Sequence, residues 1–152
     1  MRMNPGLPFL TRVELKRMQS FQVRTSAQTE FIDITRSVQE AVEQTGAKDG
    51  MCILFVPHTT AAITINENAD PSVVSDMVME LNKVVPLKDQ YHHLEGNSAA
   101  HIKASLLGCS EIVLVVSGKL VLGTWQGIFF CEFDGPRSRR VHVKVMKTPG
   151  ER

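Results

Sequence analysis

The chain has 152 residues, 43% hydrophobic and 22% charged, and its 17 basic and 16 acidic side chains leave a formal net charge of +1. That suits one soluble globular domain able to bury its own core. A balance so close to neutral gives no global attraction to nucleic acid or to an acidic membrane, and the basic-aromatic interleaving of single-strand binders is absent.

No apolar run approaches the roughly 20 residues that cross a bilayer. The opening MRMNPGLPFLTR lacks the apolar core of an export signal. A cytoplasmic protein with no membrane or nucleic-acid partner is expected. Cys52, Cys109 and Cys131 are far apart and odd in number, so they fit neither a zinc-finger spacing nor a disulfide framework. Buried, reduced thiols are the simplest reading.

In chain order, residues 1–15 read as an arm and residues 16–152 as a single domain. Val13 to Ile34 is mixed strand. Thr35 caps a helix whose apolar face is Val38, Ala41 and Val42 and which Gly46 stops. Met51 to Val56 is a continuous apolar run, the pattern of a strand covered on both faces. Thr59 to Asn66 alternates, with His58, Thr60, Ala62, Thr64 and Asn66 on the more polar face. Asp70 and Pro71 start a helix carrying Val74, Met77, Val78 and Leu81, closed by Pro86. Another helix begins at Asn97 or Ser98, with a stripe of Ala99, Ile102 and Leu106 and a stop at Gly108. The last third is strands: Glu111–Val116, Leu120–Leu122, Thr124–Phe133 and Arg139–Met146. Ser117-Gly118 suits a tight hairpin, and Asp134-Gly135-Pro136 a wider turn. In the last strand Val141, Val143 and Val145 face inward, and Arg140, His142 and Lys144 face water. Strands and helices do not alternate strictly, so the fold class is α+β with a largely antiparallel sheet.

Three of the five histidines, His92, His93 and His101, lie in the eighteen residues YHHLEGNSAAHIKASLLG, with Glu95 and Asn97 between them. With Ser98 as the cap, His101 falls third in its helix, where the dipole disfavours a protonated imidazole. A neutral imidazole is what a metal ion requires, and the same helix end offers N–H groups to phosphate. Only one of the adjacent His92 and His93 can serve such a site. Asp70 is accounted for as a helix cap, whereas Glu67 is free to act as acid, base or ligand. Glu132, between Cys131 and Phe133, must meet an arginine or belong to a site. Arg137, Arg139 and Arg140 around a tight turn suit phosphate, and equally suit a solvated hairpin end or pairing with Asp134 and Glu132 in a neighbouring subunit. Trp125 suits core packing first and a wall for a ring-shaped ligand second.

The stretches HTTAAITINENADP, EGNSAAHIKASLLG and LGTWQGIFFCEFDGPRSRR together resemble the YjbQ family over about residues 20 to 146. Members of that family are described as uncharacterised or as secondary thiamine-phosphate synthases. The resemblance implies a compact α+β homotrimer with a histidine-containing polar pocket near the subunit contacts. It also implies an activity that joins a pyrimidine diphosphate to a thiazole phosphate and releases pyrophosphate. By motif position His58, His93 and His101 carry over as pocket histidines, and Glu67, Gln126 and Glu132 as further site residues.

The leading expectation is an enzyme acting on phosphorylated small molecules. His58, His93 and His101 hold a divalent ion (magnesium or zinc) or the diphosphate itself, and Glu67 completes the catalytic set. Asn66, Trp125, Gln126, Glu132, Arg137 and Arg139 form the substrate side. The alternatives are a zinc-dependent hydrolase built on the same histidines and a trimeric binding protein without catalysis.

Overall fold

The computed structural model describes residues 18–148, so the expected arm lies outside the described residues. The elements are β1 (Gln19–Arg24), β2 (Glu30–Asp33), α1 (Thr35–Thr45), β3 (Gly50–Phe55), β4 (Ala61–Glu67), α2 (Pro71–Val84), α3 (Ser98–Leu107), β5 (Ser110–Val116), β6 (Lys119–Leu120), β7 (Gln126–Glu132) and β8 (Ser138–Lys147). They form a five-stranded sheet in the order β1-β8-β3-β5-β6 and a three-stranded sheet in the order β2-β7-β4. The strand pairings are antiparallel, as expected for an α+β fold of this kind.

The two sheets pack face to face. Cys52, Leu54, Val113, Val115, Val141 and Val143 from the larger sheet meet Ala61, Ile63, Ile128 and Phe130 from the smaller, with Val38, Ala41 and Val42 of α1 closing one side. Those three α1 residues sit at the spacing that puts them on one helix face, and Gly46 ends the helix at φ 67°, a conformation that favours glycine. A second core lies on the other face of the small sheet, where Ala62, Phe129, Cys131 and Phe133 pack against Ala100 and Ala104 of α3 and Val74 and Leu81 of α2. Asp70 caps α2 by accepting the Ser72 N–H at 2.9 Å, and Pro71 follows as the first helical residue. The β5–β6 hairpin turns on Ser117 and Gly118, with φ 52° and 76°, a type I′ geometry.

The strand covered on both faces is β7, not the Met51–Val56 run: Ile128 to Glu132 are all buried, whereas Met51 and Phe55 are exposed. An apolar run of this length reports burial without saying which strand lies between two layers. His58 and Thr60 precede β4 instead of heading a polar strand face, and Ala62 of that face is buried against α3. The buried side of α3 is Ala99, Ala100, Lys103 and Ala104, while Ile102 and Leu106 are exposed, because small side chains let the helix sit close to β4. Lys103 is fully buried and donates to Asn82 Oδ1. Burial holds its amine below the ordinary lysine value. Thr35 starts α1 without capping it; its hydroxyl instead bridges Asp33 and the Ile128 N–H. Cys109 is exposed, while Cys52 and Cys131 are buried as expected, and burial pushes the Cys52 thiol up to about 12.

Candidate functional site

Glu132 ends β7 pointing into the protein, and Arg139, near the start of β8, reaches it across the Asp134–Arg137 turn. The carboxylate accepts from Arg139 Nε at 2.8 Å, from Arg139 Nη2, from Thr25 Oγ1 at 3.0 Å, and from the N–H groups of Phe133 and Asp134. Arg139 also donates to Thr60 Oγ1 at 2.8 Å. Burial alone would raise the Glu132 carboxyl, but the bonds from Arg139, the Asp134 N–H and Thr25 outweigh it and hold the group below the ordinary glutamate value. Gly135 is needed beside this network, since a Cβ there would strike the Ala27 carbonyl oxygen, Thr25 Oγ1 and Glu132 Cγ. The pairing expected across a subunit boundary is corrected: Glu132 and Arg139 satisfy each other within one chain.

A cleft of about 360 Å³ opens beside this pair on the outer face of the large sheet, lined by Gln22, Pro57, His58, Ser138, Arg139, Arg140 and His142. The β1–β8 register places Gln22 opposite Arg140 and Ser20 opposite His142, so these side chains share one face. His58 Nε2 accepts the Arg140 backbone N–H at 2.9 Å. Its other ring nitrogen therefore carries the proton of the neutral form and is a donor. Burial, then the charge of Arg139, keep His58 below the ordinary histidine value. The Arg140 guanidinium has no hydrogen bond or ion pair among the described residues. With Glu132 matched to Arg139, the cleft carries one cation in excess. His142, assigned to bulk water by the strand alternation, is half-buried here and stacks on Phe55 with rings 6.4 Å apart and 8° from parallel. Its parity was legible; the Pro57–His58 turn that makes the outer face a cleft was not.

His93 and His101 do meet, edge to face at 5.3 Å, with Glu95 Oε2 3.8 Å from His93 Nε2. Asn97 is the N-cap residue of α3, so His101 is the fourth helical residue instead of the third. Asn97 donates to Asp134 Oδ2 at 3.0 Å, which also takes Arg137 Nη2 at 2.8 Å. Arg137 is thereby tied to its own turn. Neither His93 nor His101 lines the cleft that holds His58. Among the described residues no three His, Cys, Asp or Glu side chains are grouped to hold a metal ion. His58 moreover spends one ring nitrogen on Arg140, beside cations that disfavour another cation. The three-histidine metal set does not form within one chain.

The remaining candidates lie at the other end of the small sheet. Ala61 pairs with Glu132, Asn66 with Gly127 and Glu67 with Gln126, so Asn66, Glu67, Gln126 and the adjoining Trp125 all lie at the far end of the strand from Glu132. At about 3.4 Å per residue the six-residue offset of Glu67 and Gln126 is roughly 20 Å, with Asn66 one residue nearer and Trp125 one further. Trp125 is 63% exposed, which corrects the core-packing reading. Gln126 Oε1 accepts the Gly123 N–H at 2.8 Å, and Asn66 Oδ1 accepts the Glu67 N–H at 2.7 Å.

Two antiparallel sheets with three helices, and a histidine-bearing cleft on the outer face of the larger sheet, define a small α+β protein. The chain belongs to the YjbQ family: the sequence model described as UPF0047 protein YjbQ-like matches residues 19–148. It is 50% identical over 132 residues to a UPF0047 protein of Methanocaldococcus jannaschii, covering 87% of this chain and 96% of that one. It is 49% identical over 130 residues to YugU of Bacillus subtilis, covering 85% and 98%. A crystal structure of a YjbQ/UPF0047 family protein from Clostridium acetobutylicum superposes with a TM-score of 0.83 at 55% identity, covering 84% of this chain and 99% of that one. No helix among the described residues is long and apolar enough to cross a membrane.

Proposed function

We propose that this protein is a cytoplasmic enzyme acting on phosphorylated small molecules, and that the joining of a pyrimidine diphosphate to a thiazole phosphate is the reaction to assign first. The observation that carries the reading is the excess cation Arg140 in a polar cleft whose other arginine, Arg139, is already matched by the buried Glu132. In such a reaction negative charge builds on the departing pyrophosphate, and a preplaced guanidinium stabilises it as it forms. A divalent ion enters as part of the substrate, since magnesium is commonly carried by substrate phosphates with few protein ligands.

Assembly as a homotrimer belongs to the same proposal. Met51, Phe55, Ile112, Leu114, Val116 and Met146 stand exposed on the outer face of the large sheet. Together they make an apolar patch of roughly 500 Å², at the upper end of what monomers leave open. The direct test incubates purified protein with both phosphorylated precursors and Mg²⁺. Thiamine phosphate above background, lost in Arg140→Ala, supports the reading; no product from the wild type removes it.

A further inference from the structure

We infer that His142 is a phosphate-contacting residue, which with Arg140 and His58 forms a subsite for a phosphate monoester that works without a bound metal ion. This rests on the phosphorylated-substrate reading and goes beyond it, since no reading of the sequence placed His142 in a site.

The ring is held by packing and not by polar partners. It lies nearly parallel to Phe55, its neighbour across β3, and its Nδ1 is buried with no hydrogen-bond partner among the described residues. Buried polar atoms are nearly always matched, so a polar ring whose needs its own chain leaves unmet marks a place that something else completes. A phosphate monoester supplies both acceptors and, when singly protonated, a donor, and so suits either tautomer of a neutral imidazole.

The neighbouring groups favour an anion over a metal ion. His58 is fixed by the Arg140 N–H as an acceptor at Nε2, leaving the opposite nitrogen as a donor. Arg140 brings a full charge and a planar fork of donors. Gln22 and Ser138 add neutral donors on the same cleft wall. No carboxylate in the lining is free to attract a cation, because Glu132 is enclosed behind Arg139. At about 360 Å³ the cleft falls in the range of small-molecule sites. It takes a phosphate with a small group attached.

The test uses the full chain with inorganic phosphate and pyrophosphate as probes, in EDTA, read by calorimetry and by imidazole NMR. Phosphate should shift the ring signals of His142 and His58 and leave those of His93 and His101 in place. His142→Ala should weaken binding about tenfold or more, His142→Gln should recover part of it, and Asp76→Ala, exposed on α2, should bind as the wild type does. Folding of each variant is checked by circular dichroism. Unmoved His142 signals with wild-type affinity in His142→Ala, or binding that vanishes in EDTA, would overturn the inference. Phosphate binding of the expected pattern without any thiamine phosphate formed would sink the assigned reaction alone. Wild-type synthesis by His142→Ala would sink the subsite alone.

Discussion

Replacing Arg139 by alanine should be the most damaging single change near the site. Glu132 is fully enclosed and Arg139 only 7% exposed, so the pair is separated from solvent screening. The substitution removes two charge-assisted bonds and leaves the carboxylate with Thr25 and two backbone N–H groups. Breaking one side of a buried pair costs about 3–5 kcal/mol. The three surviving donors place this case near the lower end. With an urea dependence of about 1–3 kcal/mol per molar, the unfolding midpoint should fall by roughly 1–3 M. The measurement is urea denaturation followed by circular dichroism at one fixed protein concentration, because self-association shifts apparent stability. A paired variant, Glu132→Leu with Arg139→Met, should recover most of the loss, since an apolar pair of similar volume leaves no buried charge. A cost under about 1 kcal/mol for Arg139→Ala, or a paired variant as unstable as the single one, would refute the reasoning.

Glu132 also predicts an acid limb. Its folded-state value lies below the ordinary 4.5, so its contribution is complete above that pH and is lost as pH falls from there through the depressed value. The stability difference between the wild type and Glu132→Gln should therefore shrink below about pH 4.5 in denaturation curves taken at several pH values. Gly135→Ala should lower the midpoint by several degrees in thermal melts, because its Cβ has no room against Thr25 and the Glu132 side chain. Leu114→Glu, on the exposed sheet face, should reduce the sedimenting mass while leaving the circular dichroism spectrum intact; an unchanged mass would count against this face as a contact between copies. Dialysis against EDTA should leave the thermal midpoint where it was, and a drop reversed by zinc would reveal a metal bridging residues of different chains.

Much of the fold was legible because period and punctuation agree locally. The α1 stripe with Gly46, the Asp70-Pro71 start of α2 and the Ser117-Gly118 hairpin each follow from neighbouring residues alone. What failed depends on layers. Met51–Val56 reads as an apolar strand and Thr124–Phe133 as a strand, and only the assembled sheets show that helices cover the second and leave one side of the first open. Alanines on the buried side of α3 carry little hydrophobic signal, and Lys103 among them points the sequence reading the wrong way.

The site divides along the same line. The pairing of Glu132 with an arginine was foreseeable, because a buried carboxylate demands a partner. The meeting of His93 with His101 was also legible, since they are close in the chain. Sequence could not reveal that antiparallel pairing sends Glu67 and Gln126 to the opposite end of the strand from Glu132. Nor could it show that β8 presents Arg140 and His142 to a turn some eighty residues earlier in the chain.

A crystal of the full chain soaked with pyrophosphate and examined for anomalous metal signal tests the central claim most directly. Pyrophosphate should sit in the cleft between His58, Arg140 and His142, with no metal held by a set of protein histidines. Pyrophosphate seated at Trp125 and Glu67, or at the start of α3 beside His93 and His101, would contradict it.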